Sequence, residues 1–218
     1  MNRQGTGRNI FGFDGGFVNV FERIFDGFVL GLLWIVCSLP LITIGASTTA
    51  LYYGMVKCVK HRDGYATREF FRSFRQNFVP ATGLWLLFVG VTFVLQLNVG
   101  ILMQKTSGMV GLFFICLYIV ADLYVTLAVC YAFPALSRFD MPVGWLVKVS
   151  LYMVVRYFVN TIGMALLLVC MGALVLRIPV LVFFIPGLIA YIAIDFMEPV
   201  LKKHEPKEIE GKESYIQV

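Results

Sequence analysis

Charged side chains are scarce in this sequence, and the residue patterns of most catalytic and metal-binding sites are missing from it. Only 14% of the 218 residues are Asp, Glu, Lys or Arg, against about a quarter in a typical soluble domain. The two histidines, His61 and His204, lie far apart, and the five cysteines form no CxxC pair. We therefore expect buried free thiols, with neither a zinc site nor a disulfide framework.

The sequence also lacks a serine–histidine pairing and a glycine-rich loop that could cradle phosphate. With two histidines there is little to support hydrolytic chemistry. We expect a protein that is not an enzyme and that carries no catalytic residue, cofactor or metal.

Apolar residues, by contrast, make up 59% of the chain, and the mean hydropathy is +0.82. Several runs reach the roughly 20 residues that a helix needs to cross a bilayer. The net charge of +5 comes mainly from lysines and arginines that flank these runs, which is typical of membrane orientation and not of nucleic-acid binding. The sequence predicts an all-α, polytopic transmembrane bundle that has the lipid bilayer as partner and binds no nucleic acid.

The apolar runs predict one transmembrane domain over residues 1–201 and a flexible cytosolic tail over 202–218. Four spans are clear, at about 80–104, 109–136, 150–176 and 178–201. The connections inside the first and the last pair are so short that each pair must form an antiparallel hairpin. The loops between the pairs are rich in lysine and arginine, which places them in the cytosol.

The stretch SLPLITIGAS, residues 38–47, decides between five and six spans. One span over residues 24–44 would leave the N-terminal arginines outside the cell, against the positive-inside rule. A turn between Pro40 and Gly45 instead gives two spans, about 17–38 and 46–61. Pro40 has no backbone N–H to leave unpaired, Gly45 tolerates positive φ, and Ser47 could cap the returning helix. Six spans are favoured over five, with both termini cytosolic.

Residues 61–80, HRDGYATREFFRSFRQNFVP, predict an amphipathic helix at the cytosolic interface. One side of the helix would carry the rings of Phe70, Phe71, Phe74 and Phe78, and the opposite side would carry Arg68, Arg72 and Arg75. Two interpretations remain open. The helix could anchor the protein to anionic headgroups, or it could dock a cytosolic partner.

A few polar side chains fall inside the predicted spans, namely Gln96, Asn98, Asp122 and Asn160. A carboxylate at the depth of Asp122 costs roughly 2.5–3.5 kcal/mol, so it should face the bundle and find a partner. It could make a structural hydrogen bond to Gln96, Asn98 or a tyrosine, or it could bind a proton or a substrate.

Two more carboxylates, Asp195 and Glu198, are three residues apart near the cytosolic end of the last span. Because this spacing puts them on one helical face, they could act as an acid–base pair. An ion-pair belt with Arg138 and Arg156 is the favoured interpretation, since these arginines are expected at similar depth.

The stretches LLWIVCSLPLITIGASTTALYYGMVKCVKHRDGYATREFFRSFRQNF and YAFPALSRFD resemble the YesL family of small bacterial membrane proteins. The matching elements are the Leu39–Tyr53 core, Asp63–Tyr65 and the phenylalanine pattern of Phe70–Phe78. The family has no established activity and no defined binding residues. Its members are often encoded beside ABC importers of carbohydrates, so the resemblance implies a non-catalytic accessory role with ABC permease or ATPase subunits as partners. The alternative is an independent small-solute transporter or channel around Asp122.

Overall fold

The computed structural model describes residues 14–61, 63–105, 108–139 and 141–202. The described residues form eight α-helices and contain no β-strand, which confirms the all-α prediction. The expected tail beyond residue 202 lies outside the described residues. The helices are α1 (Asp14–Ser38), α2 (Ile44–Gly54), α3 (Ala66–Gln76), α4 (Phe78–Lys105), α5 (Met109–Arg138), α6 (Val143–Arg156), α7 (Phe158–Arg177) and α8 (Ile185–Lys202).

Three of these helices, α4, α5 and α7, are long and apolar enough to cross a membrane. Their large apolar side chains point mostly away from the rest of the protein, among them Phe93, Leu112 and Val169. Such a surface is costly to expose to water, at roughly 25 cal/mol for each Å² of apolar area. The helices therefore indicate a membrane protein, as the composition predicted.

The last two predicted spans have different boundaries in the structure. The span expected at 150–176 is interrupted at Tyr157, where α6 ends and α7 begins. The span expected at 178–201 opens with a short 3₁₀ turn, Pro179–Phe183, and α8 begins only at Ile185. Pro186 therefore lies in the first turn of α8, where its missing N–H removes no hydrogen bond from the helix.

The chain reverses direction between α1 and α2. A 3₁₀ turn at Leu41–Thr43 follows α1, and α2 then runs back antiparallel and continues as a π-helical segment, Met55–Lys60. The indole N–H of Trp34 donates to the Thr48 hydroxyl at 3.1 Å, which ties the two helices together. We call α1, this turn and α2 the first hairpin.

Side chains satisfy the backbone carbonyl groups of this turn. The Thr43 hydroxyl lies 2.6 Å from the carbonyl oxygens of both Cys37 and Pro40. The Trp85 indole N–H donates to the Leu41 carbonyl oxygen at 2.9 Å. Because no water is available in hydrocarbon, internal partners of this kind are what an irregular segment inside a membrane requires.

Gly45 lies in α2 and not in the turn where the sequence placed it. A Cβ atom on Gly45 would lie 2.6 Å from the Ala81 carbonyl oxygen and 2.9 Å from the Phe133 ring. The residue is glycine because α2 approaches α4 and α5 closely. The prediction that Gly45 adopts a positive φ in a turn is wrong, because Gly45 lies inside α2. Ser47 is likewise buried inside α2 and does not cap its start.

The tip of the first hairpin lies beside the beginning of α4. Trp85, which bonds to the turn, is only two helical turns into α4, and the residues from Leu86 to Lys105 continue beyond this contact. At 1.5 Å per residue they add about 30 Å of helix. The antiparallel α4–α5 pair therefore extends well past the first hairpin, which explains why so little of it is buried.

Candidate functional site at the charged end of the bundle

Basic and acidic side chains collect at one end of the bundle, where the π-helical segment, α5 and α8 end and α3 packs. We call this region the charged end. Its members are Lys57, Lys60, Glu69, Arg138, Asp195 and Glu198, together with the outer arginines of α3. The connections α4–α5 and α7–α8 are at Lys105 and Arg177, one basic residue each.

A buried ion pair fastens α3 to the preceding helix. Lys57 Nζ lies 2.9 Å from Glu69 Oε2, and both side chains are more than nine-tenths buried. Lys57 Nζ also lies 3.4 Å from the Tyr53 hydroxyl. Sequence reasoning missed this pair. Removing one partner of such a pair typically costs about 3–5 kcal/mol, because the other charge is then buried alone.

Gly64 makes the turn into α3 possible. Its φ is +82°, in the left-handed region that glycine favours. A Cβ atom at this position would also lie 3.0 Å from Glu69 Cγ. The Asp63–Gly64–Tyr65 segment thus brings Glu69 back over Lys57, which gives a physical reason for its sequence.

The four phenylalanines predicted on one face of α3 have different environments. Phe70 is fully buried against the bundle and Phe74 is partly buried, whereas Phe71 is 46% exposed and Phe78 is 37% exposed. The rings of Phe70 and Phe74 stack with centroids 6.2 Å apart. The inner face of α3 therefore packs on protein. Of the four rings, the two exposed ones are Phe71 on α3 and Phe78, which begins α4 and does not lie on α3 as predicted.

The three arginines of α3 are exposed, on the side away from the bundle. We call Arg68, Arg72 and Arg75 the arginine face. Tyr65, at the N-terminal boundary of α3, is 79% exposed beside it. Guanidinium groups of this kind suit carboxylate or phosphate groups, and arginine and tyrosine are both enriched at protein interfaces.

A second set of ion pairs joins α5, α8 and the π-helical segment. Arg138 Nη1 lies 3.1 Å from Glu198 Oε1, and both side chains are buried. Lys60 Nζ lies 3.7 Å from Glu198 and 3.5 Å from Asp195. The predicted belt thus includes Lys60, which the sequence did not indicate, whereas Arg156 is exposed at the end of α6 and takes no part in it within the described chain. Within that same part of the chain, no three His, Cys, Asp or Glu side chains are grouped as metal ligands.

The structure joins only two of the four polar residues predicted inside the spans. Gln96 Nε2 donates to Asp122 Oδ2 at 2.6 Å, between α4 and α5. Asn98 bonds to the Val94 carbonyl oxygen of its own helix, and Asn160 bonds to the backbone of α8 at Phe196. Asp122 therefore has the structural partner considered for it, and the four side chains do not line one site.

These features indicate a helical membrane protein whose charged end carries the short helix α3, attached by a buried ion pair. Residues 28–99, from α1 to α4, match the family described as "Protein of unknown function, DUF624", a domain that YesL-like families carry. No curated protein and no solved structure matches the chain.

Proposed function

We propose that the protein is a non-catalytic membrane accessory protein, related to the YesL-like proteins, that assists carbohydrate import by an ABC transporter. Its contact with the permease or ATPase subunits would be the arginine face of α3. The carbohydrate assignment rests on the family resemblance. One observation carries the docking role: α3 is fixed to the bundle by a buried ion pair, yet presents its arginines outward.

The attachment of α3 favours docking over simple anchoring. A helix that only anchors a protein to lipid buries its apolar face in the headgroup region. Here Phe70 is instead covered by protein and Phe74 is partly buried, so Phe71 is the one exposed phenylalanine of α3. A fixed helix also loses little conformational entropy when a partner binds, which raises its affinity.

We also propose that the charged end faces the cytosol of a bacterial cell. Its lysines and arginines outnumber those at the opposite tips, as the positive-inside rule requires. Because the first hairpin begins and ends at the charged end, the N-terminus lies on that side whether the hairpin crosses the bilayer or turns inside it. With α4, α5, α7 and α8 as four further crossings, the C-terminus is cytosolic as well.

Affinity purification from the native membrane tests the docking role. Permease or ATPase subunits, identified by mass spectrometry, should be recovered with the wild-type chain and lost when Arg68, Arg72 and Arg75 are changed to glutamate. A matched control replaces Lys148 and Arg156 with glutamate, because both are exposed on α6 away from α3. Equal recovery of the subunits with both variants would refute docking through α3.

A second candidate function, a small-solute transporter around Asp122, is favoured by one observation. The carboxyl oxygen Oδ1 of Asp122 is buried and has no hydrogen-bond partner within the described chain. The purified protein in liposomes should then pass solute, and Asp122→Asn should abolish the flux. Flux that is absent, or unchanged by this substitution, would remove the candidate.

A further inference from the structure

A groove of about 410 Å³ lies between α1 and α8, and we call it the α1–α8 groove. The two helices meet closely along it, since a Cβ atom on Gly187 would overlap the Gly27 carbonyl oxygen. The buried side chains of Met55 and Val59, from the π-helical segment, also line the groove. The other apolar side chains that line it are Ile24, Phe28, Phe184 and Leu188.

The groove opens onto an apolar outer surface. Ile24, Phe184 and Leu188 line it and are between 46% and 63% exposed. Phe21 and Phe25, on the same stretch of α1, are exposed as well. Apolar side chains of this number are costly to expose to water, so the groove faces lipid when the bundle lies in a bilayer.

One end of the groove meets a polar cleft at the charged end of the bundle. The cleft measures about 80 Å³, and Lys60 and Asp195 line it. Arg23 and Tyr191 line both the cleft and the groove, so they mark the place where the two join. From Arg23 the groove follows α1 for about 8 Å, at 1.5 Å per residue, to Phe28. It therefore has a basic end and an apolar end, in line with the helices.

The basic end carries one charge that the protein does not neutralise. Arg23 takes part in no ion pair within the part of the chain that the structure describes, and its buried Nε has no hydrogen-bond partner there. Lys60, by contrast, lies 3.5 Å from Asp195. The acidic neighbours of Arg23 on α1, Glu22 and Asp26, line neither the groove nor the cleft. Because a buried N–H donor without a partner is unfavourable, Arg23 is ready to bind an anionic group.

We propose that the α1–α8 groove binds an anionic phospholipid of the phosphatidylglycerol class, from the leaflet next to the charged end. The Arg23 guanidinium donates to the lipid phosphate, and one acyl chain lies in the groove and runs towards Phe28 and Phe184. Basic pockets between membrane helices bind lipid head groups in the same way. This binding does not depend on the proposed importer role.

The charge and the shape of the site together identify this ligand. The planar fork of a guanidinium fits the oxygens of a phosphate group, and one unneutralised arginine matches the single charge of a phosphodiester. A zwitterionic lipid would bring an ammonium group towards Lys60, which is a like charge. A soluble phosphate compound would leave the apolar groove unused. An acyl chain fills it, because the groove leads from the basic end into the membrane.

Native mass spectrometry of the full-length, delipidated protein tests the proposal, since it counts the lipids bound during a titration. Dioleoylphosphatidylglycerol should bind more tightly than dioleoylphosphatidylcholine, which has the same acyl chains. Arg23→Gln should weaken the first phosphatidylglycerol by about 10-fold or more, as expected for a hydrogen bond between charged groups, and should remove the preference. Arg23→Lys should keep part of the affinity, because it retains the charge and loses the fork. Arg156→Gln is the matched control, because this arginine is exposed at the end of α6 and does not line the groove.

A second pair of variants tests the groove itself. Ile24→Trp places a larger side chain at an exposed position of the groove wall and should weaken phosphatidylglycerol binding, whereas Phe25→Trp, exposed outside the groove, should not. All variants should elute like the wild type in size-exclusion chromatography.

Three results would overturn the proposal. Equal phosphatidylglycerol affinity of the Arg23→Gln and Arg156→Gln variants would exclude the head-group contact. Equal affinity of the two tryptophan variants would exclude the acyl chain from the groove. Displacement of phosphatidylglycerol by an equal concentration of glycerol 3-phosphate would show that the site takes a soluble phosphate compound.

Discussion

A cysteine at Leu39, in the tip of the first hairpin, should remain unlabelled by a membrane-impermeant maleimide applied to either side of the membrane. A cysteine at Lys105, in the tip of the α4–α5 pair, should be labelled from outside the cell. The two tips differ because the structure places them at different depths along α4.

The difference in depth can be worked out from one contact. The Leu41 carbonyl oxygen is fixed to the Trp85 indole at 2.9 Å, and the residues from Leu86 to Lys105 extend α4 by about 30 Å beyond it. This length is shorter than the whole bilayer, which is about 40–45 Å thick with its headgroup regions. When Lys105 reaches the outer surface, the tip of the first hairpin therefore stays in the half of the bilayer next to the charged end.

The surface of the tip agrees with a position in hydrocarbon. Leu39 and Leu41 are 76% and 74% exposed, which would be costly in water. The turn carbonyls are bonded by Thr43 and Trp85, as a segment in lipid requires. The six-span prediction assumed a first hairpin that crosses completely, whereas this geometry favours one that turns back inside the membrane.

The assay uses a chain without its five native cysteines, in right-side-out and inside-out vesicles. Arg72→Cys, on the arginine face, should be labelled only in inside-out vesicles and serves as the control for sidedness. Each variant should label fully after denaturation in detergent, which shows that its thiol is intact. Labelling of the Leu39→Cys variant from outside would refute the reasoning from depth and would support a complete crossing.

Two further predictions concern stability and can be measured by unfolding the protein in detergent. Glu69→Gln should lower the free energy of unfolding by roughly 3–5 kcal/mol, because it leaves the Lys57 charge buried alone. Combining Lys57→Met with Glu69→Leu should recover most of the loss, and a double variant as unstable as the single one would contradict this account. Gly45→Ala should cost about 1–3 kcal/mol through overpacking, whereas Gly83→Ala, with open space around its Cβ position, should cost nothing. Equal losses at the two glycines would contradict the close approach of α2.

The long helices could be predicted from the sequence because the bilayer imposes its thickness on them. The apolar run at 109–136 predicts α5 to within two residues at its end, and the run at 80–104 predicts α4 equally well. The break at Tyr157 has neither proline nor glycine beside it, and Arg156, which interrupts the apolar run there, was instead interpreted as part of the ion-pair belt. The position of the first hairpin along α4 depends on tertiary contacts such as that between Trp85 and the Leu41 carbonyl oxygen. A hydropathy pattern carries no information about such contacts.

The buried ion pair of α3 was missed for an identifiable reason. The prediction for α3 took the phenylalanines as its apolar face and placed the charged residues on the opposite face. The buried residues are Ala66, Glu69, Phe70 and Ser73, at spacings of three and four, so the small residues mark the packed face. Lys57 lies in the apolar run YYGMVKCV, where a lysine needs a partner. Reading these two signals together would have predicted the pair.

The charges at this end therefore divide into two groups that should respond differently to salt. Lys57 and Glu69 are shielded by protein, so ions in solution screen their attraction little. The arginine face is exposed, and the Debye length around it falls from about 8 Å at 0.15 M salt to about 3 Å at 1 M. High salt should thus release a partner bound through Arg68, Arg72 and Arg75 while α3 stays folded on the bundle. A partner that remained bound in 1 M salt would have to be held by the exposed Phe71 and Tyr65, so the salt dependence of binding separates an electrostatic contact from an apolar one.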